Sequence, residues 1–151
     1  LAQCVSTLLS LIFAPMTIET LIRRFYQDLW NNFDKTLIPI LLSDKIVFQG
    51  VTQSEMIGHT AFANTIDMIQ SSFPDLEHEI EELIVDPSRQ SLFVWVTYTG
   101  TYRGDYSGLE KAGYRVRGKG AARFQTHQDQ ITNAWMRGYL KDLMPRLGTK
   151  D

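Results

Sequence analysis

Residues 56–102, MIGHTAFANTIDMIQSSFPDLEHEIEELIVDPSRQSLFVWVTYTGTY, change hydrophobic period once, and that change decides the fold class. Over Met56–Phe73 the apolar stripe Ile57, Ala61, Phe62, Thr65, Ile66, Ile69 and Phe73 keeps the spacing of one helical face. The ring of Pro74 disfavours a helical residue before it, so Phe73, Pro74 and Asp75 end the helix. Strand-like sequence follows. Leu76–Val85 reads as a strand whose glutamates form a solvated face. Ser91–Tyr102 is rich in β-branched and aromatic residues, as a central strand requires.

Working outward, Thr17–Phe33 places Ile18, Leu21, Ile22, Phe25, Leu29 and Phe33 on one face of an amphipathic helix, with Arg23, Arg24, Gln27 and Asp28 turned away. A short helical turn at Lys35–Leu41 tolerates Pro39 near its start, and Asp44–Gly50 reads as a strand. On the other side, Tyr114–Thr126 and Gln130–Arg137 form a hairpin about the polar turn HQDQ, and Tyr139–Leu147 closes the chain as a helical or irregular tail. Helices first and long strands afterwards make an α+β fold: a cone-shaped, curved antiparallel sheet wraps its apolar face around the N-terminal helices and encloses a pocket. One domain over residues 16–151 is expected. Residues 1–15 form an apolar extension without charge, too short for a membrane span and without the basic start of a signal peptide. Two readings of it stand: a mis-called start ahead of Met16, or an apolar helix packed on the body or on a second subunit.

Composition removes several classes of function. Charged residues are 21% of the chain and the net charge is −2, so there is no overall electrostatic case for nucleic acid. The basic stretch Arg115–Arg123 reads as a solvated strand face. No membrane partner is expected. The single cysteine, Cys4, forms no internal disulfide and fits a reducing compartment such as the cytoplasm, or indifference to redox. His59, His78 and His127 lack metal-ligand spacing, so neither a metal nor a cofactor is expected. No Gly-x-Ser-x-Gly elbow is present, and the glycines at 100, 104, 108, 113, 118 and 120 do not form a phosphate-binding pattern.

Acid–base chemistry in a closed apolar pocket remains, because desolvation shifts pKa values and strengthens hydrogen bonds there. Candidate walls are Phe48, Phe62, Phe73, Trp95 and Trp135; plain core is the alternative for each. Trp135, Arg137 and Tyr139 share one face of an extended strand by the period of two. Arg137 offers a fork of donors to a carbonyl or an anion, or pairs with an acid at a sheet edge. His59 and Asp105 are candidate bases, with capping and loop solvation as their structural alternatives.

The stretch Gly100–Val116, GTYRGDYSGLEKAGYRV, resembles the SnoaL-like polyketide (ester) cyclase pattern Gly-Thr-His-x-Gly-x-Phe/Tyr-x-Gly-Ile/Leu-x-Pro-Thr-Gly. Residues 73–75 are similar to the family's Phe-Pro-Asp, Arg123-Phe124 with Gln130-Ile131 to its Arg-Phe…Lys-Ile hairpin, and Trp135 to Gly148 to its terminal Trp-x-x-x-Asp…Gln-Leu-Gly. The similarity runs in order from about Thr17 to Gly148. It implies a nuclear-transport-factor-like cone, a small apolar carbonyl ligand, cofactor-free cyclase or isomerase chemistry, and a homodimer paired through the sheet face. The family's acid–base Asp corresponds to Tyr139, its His to Tyr102, and its Pro-Thr to Lys111 and Ala112. A phenol, with a pKa of about 10, donates at neutral pH rather than accepting. The resemblance therefore implies that Tyr102 and Tyr139 donate to an enolate oxygen. The alternative is a non-catalytic ligand-binding or interaction module that keeps the cone without the family's Asp and His.

Overall fold

The computed structural model describes residues 16–50, 54–104, 113 and 115–138. Helix α1 (Ile18–Arg24) starts at Thr17, whose Oγ1 accepts the Thr20 N–H at 3.1 Å. Glu19 in its first turn and Arg23 and Arg24 in its last complement the helix dipole. The helix continues without a break as a π-helical segment, Phe25–Trp30. Buried pairs recur at Leu21/Ile22, Phe25/Tyr26 and Leu29/Trp30, a repeat of four residues. In a pure α-helix such a repeat drifts by about 40° per turn. The wider π turn takes up that drift and keeps all three pairs against the sheet. Phe33, in the left-handed region (φ 51°), ends the run. Asp34 then caps a 3₁₀ turn (Lys35–Leu37) that leads into α2 (Ile38–Leu41).

The strands are β1 (Leu42–Gln49), β2 (Glu55–Ile57), β3 (Glu77–Asp86), β4 (Ser91–Thr101), β5 (Arg115–His127) and β6 (Gln130–Gly138), with α3 (Gly58–Ser72) between β2 and β3. They form one sheet in the order β2-β1-β6-β5-β4-β3. The β3–β6 meander is antiparallel throughout, but β1 lies parallel to β6, with Phe48 beside Ala134 and Gln49 beside Trp135. The sheet is therefore mixed, not wholly antiparallel. After α3 returns the chain to the far edge, the meander brings its last strand back to β1 in the same direction. A second correction concerns the long helix, which starts at Gly58 and not at Met56. Met56 and Ile57 pair with Phe48 and Val47 as an edge strand. Gly58, at φ +85°, makes the reversal into the helix in a region that side-chain-bearing residues rarely adopt.

The core lies between the helices and the concave face of the sheet. Phe25 is its hub, with ring centroids 5.2 Å from both Tyr26 and Phe124, 6.1 Å from Phe62 and 6.3 Å from Trp30. At the far corner the Asp75 carboxylate accepts the Thr101 N–H (2.6 Å) and hydroxyl (2.7 Å), with Arg115 at 3.6 Å. These hydrogen bonds hold Asp75 below the usual carboxylate range. They also tie the end of β4 to the turn after α3. Among the described residues no helix is long and apolar enough to cross a membrane.

Candidate functional site

Beside this core an apolar cavity of about 120 Å³ lies between the π segment, α3 and the concave sheet. Phe48, Met56, Ile69, Phe73, Val96 and Met136 supply much of its wall. Glycine at 120 keeps the sheet floor low, since a side chain there would meet the Arg137 carbonyl at 3.4 Å.

A small polar group is set into this wall. His78, on β3, lines the cavity with Tyr26 and Trp30 from the π segment and Tyr98 from β4. Its ring centroid lies 5.3 Å from Tyr26, 6.0 Å from Trp30 and 6.4 Å from Tyr98. Burial pushes the imidazole pKa down to about 4, so the ring is neutral at physiological pH. Burial likewise raises the Tyr26 phenol above its ordinary value, keeping it a donor. The Tyr26 hydroxyl and the Trp30 indole N–H are buried and have no hydrogen-bond partner among the described residues. An unmet buried donor is costly, and such groups in native proteins commonly serve a ligand or water.

The orientation of His78 is set by Asn31, at the end of the π segment. The Asn31 Oδ1 accepts the His78 backbone N–H at 2.8 Å, and its Nδ2 donates to the His78 carbonyl at 3.0 Å. This two-point grip fixes which end of the amide is oxygen. The same Oδ1 stands 3.2 Å from His78 Nδ1. An oxygen only accepts, so Nδ1 carries the proton and Nε2 keeps its lone pair.

Of the residues singled out in the sequence, Phe48, Phe73 and Arg137 border the cavity. Arg137 is exposed at the rim, its guanidinium 3.5 Å from Gln49 Oε1. Phe62 is not part of the lining: it is wholly buried one layer behind, its ring 5.0 Å from Phe48. Tyr102 is also wholly buried, packed on Phe73 at 5.4 Å outside the cavity. Trp95 and Trp135 are not cavity walls either. On β4 the alternate residues Leu92, Val94 and Val96 are buried and Phe93 and Trp95 between them are not, so Trp95 falls on the outer face and is 39% exposed. Trp135, out of phase with buried Ala134, stacks under Arg123 at 5.2 Å. His59 lies away from the lining and bonds the Leu42 carbonyl at 3.0 Å, tying α3 to β1. Tyr139 and Asp105 lie outside the described residues. Sequence reasoning passed over Tyr26, Trp30, Asn31 and His78. A signal for His78 was present in Glu77-His78-Glu79-Ile80, where the period of two sets it on the face of Ile80, opposite the glutamates.

The profile of the SnoaL-like polyketide cyclase family matches residues 20–144. Comparison with curated proteins gave no match. Among solved structures, a protein of Jannaschia sp. CCS1 provisionally described as a SnoaL-like polyketide cyclase superposes with a TM-score of 0.81 at 15% identity, covering 91% of this chain and 95% of its own. A SnoaL-like polyketide cyclase of Agrobacterium tumefaciens gives 0.71 at 18% identity, covering 87% and 98%. AclR of Streptomyces galilaeus, provisionally described as a hydroxylase, gives 0.74 at 21% identity, covering 89% and 87%. The shared feature is the cone of helices and sheet.

Proposed function

The chain belongs to the SnoaL-like polyketide cyclase family, and from this premise we propose that it binds a compact, largely apolar carbonyl compound and cyclises or isomerises it without a cofactor. The observation that carries this reading is the pair of unmet donors, Tyr26 Oη–H and Trp30 Nε1–H, at an apolar cavity. An apolar ligand with an acceptor oxygen suits a wall whose residues Tyr26 and Trp30 carry these donors. The size of the cavity favours about one ring, since a cavity of roughly 150 Å³ accommodates benzene. Cyclohexanone and cyclopentanone are therefore expected to raise the melting temperature in a concentration-dependent way; a ligand at about 100 times its Kd adds about 2.7 kcal/mol. Ala122→Leu, which fills the floor, abolishes the shift. If neither ketone moves the transition of the wild-type protein at millimolar concentration, the reading falls.

A binding module without chemistry is the second reading, favoured by Tyr102. That tyrosine takes the position of the family's His but is packed against Phe73 outside the cavity. Binding without turnover of any enolisable ketone is its signature.

We further propose that a second copy of the chain covers the outer face of the sheet. Cross-strand pairing sets Ile84, Phe93, Arg123 and Trp135 in one row, with Trp95 beside it, and Ile84 and Phe93 are 58% and 54% exposed. Light scattering is expected to report a dimer for the wild type and a monomer for Phe93→Glu, while an unchanged mass in the variant removes this face from the interface. The cytoplasm is the compartment we propose, with which a single cysteine in 151 residues is compatible.

A further inference from the structure

We infer that His78 is the base of this site: its Nε2 takes a proton from the carbon beside the carbonyl of a compact enolisable ketone, Tyr26 and Trp30 hold the resulting enolate oxygen, and Asn31 is the positioning residue that fixes the imidazole tautomer. The assignment rests on the reading of the cavity as a carbonyl site and adds the residues and the substrate class.

Three observations converge on it. The backbone of His78 defines the orientation of the Asn31 amide, and the amide in turn defines the ring: Nδ1 donates to Oδ1, leaving Nε2 as the acceptor. The two ring neighbours, Tyr26 and Trp30, carry donors with no partner among the described residues. Tyr26, Trp30 and Asn31 come from the π segment or its cap, so one local winding assembles donors and positioning group together. Such segments recur at functional sites.

The proton balance closes within the site. The C–H electron pair becomes the enolate, whose charge is placed on an oxygen facing the two donors, while the proton passes to Nε2 and makes an imidazolium. For an isomerisation the same Nε2–H returns the proton to a different carbon. For an aldol closure the enolate carbon bonds to a second carbonyl of the same molecule, and Nε2–H protonates the new alkoxide. A weak base serves when the oxyanion is held: a carboxylate of similar basicity does this work in enzymes with a two-donor oxyanion hole. The low dielectric of the wall strengthens the ion pair as it forms.

His78 also lines a polar groove, to which Asn31 contributes as well. The titratable and charged groups around it are Tyr26, Tyr98 and Arg137 on the cavity side and Arg23, Glu77, Glu79 and Arg117 on the groove side. Among the described residues no carboxylate lines the cavity, and the imidazole is the base that these residues offer.

The test follows the exchange of the α-protons of cyclohexanone for deuterium by ¹H NMR, alongside the binding of the ketone by thermal shift. Wild-type protein is expected to bind and to accelerate exchange. His78→Gln is expected to bind still but to lose at least about 100-fold in rate, the usual scale of a general base. Tyr26→Phe is expected to lose about 100- to 1000-fold with its fold intact. Imidazole ¹⁵N shifts of the wild type are expected to show protonated Nδ1 and bare Nε2. In Asn31→Asp the carboxylate favours the imidazolium, so the acid limb of the pH–rate profile moves up, a change that a merely structural asparagine would not produce. Ketone binding with exchange unchanged in His78→Gln, or a bare Nδ1 in the wild type, overturns the assignment and leaves the carbonyl-site reading standing. Failure of the wild type to bind either ketone overturns both.

Discussion

Phe25→Ala is expected to lower the stability of the protein by about 3–5 kcal/mol, the range for deleting a buried aromatic ring. Phe25 is fully buried and contacts Tyr26, Trp30, Phe62 and Phe124, so its removal leaves a hole bounded by both layers. The ring edges around it meet at steep angles, and rigid rings close poorly over a void. In a domain of this length such a loss lowers the melting temperature by roughly 10 °C or more. Urea denaturation followed by tryptophan fluorescence measures it. A loss below about 1 kcal/mol would mean that the neighbouring rings collapse into the gap, contrary to the packing described. Phe25→Leu separates volume from shape and is expected to fall between wild type and alanine.

Acidification should cost nearly as much, and through one side chain. Burial lowers the His78 pKa from 6.5 to about 4. Between those values the unfolded chain binds a proton that the folded chain refuses, so stability rises with pH across the interval. The contribution is fully present above about pH 6.5 and is lost as the pH falls towards 4, amounting to about 3 kcal/mol. Denaturation midpoints at pH 7 and pH 4.5 measure it for the wild type and for His78→Leu. The leucine variant keeps both backbone bonds to Asn31 and is expected to show a much flatter profile. An equal acid sensitivity in the two proteins would assign the effect to other groups.

The fold was legible wherever one face of an element is apolar and the other polar. The stripe of Met56–Phe73 and the turn at Pro74 located α3 and its end, and the acidic alternation of β3 located that strand. Legibility failed where both faces are apolar. In SLFVWVTYTGTY, Phe93 and Trp95 are as hydrophobic as Leu92, Val94 and Val96, so the sequence gives no phase and the two outward aromatics read as pocket wall. It failed again in α1, where Tyr26 and Trp30, four and eight residues after Ile22, belong to the buried stripe by helical spacing and were left off it. The parallel pairing of β1 with β6 left no local trace, since it joins segments from opposite ends of the chain. His78 was hidden for a different reason: three scattered histidines suggest metal ligation or nothing, whereas its role depends on Asn31, a residue distant in sequence.

That parallel pairing has a further consequence, for the order of assembly. Strands β3 and β4, and β5 and β6, are sequence neighbours joined by short connections, and closing short loops is cheap. Joining Leu42 to Ile131 closes most of the chain and pairs the two strands in the orientation that forms more slowly. The meander with α1 against it is expected to form first, and β1 to dock last, carrying Phe48 with it. Phe48 is one wall of the cavity, so the site does not exist until the final docking step. A bound ketone should therefore slow unfolding and leave the folding rate unchanged.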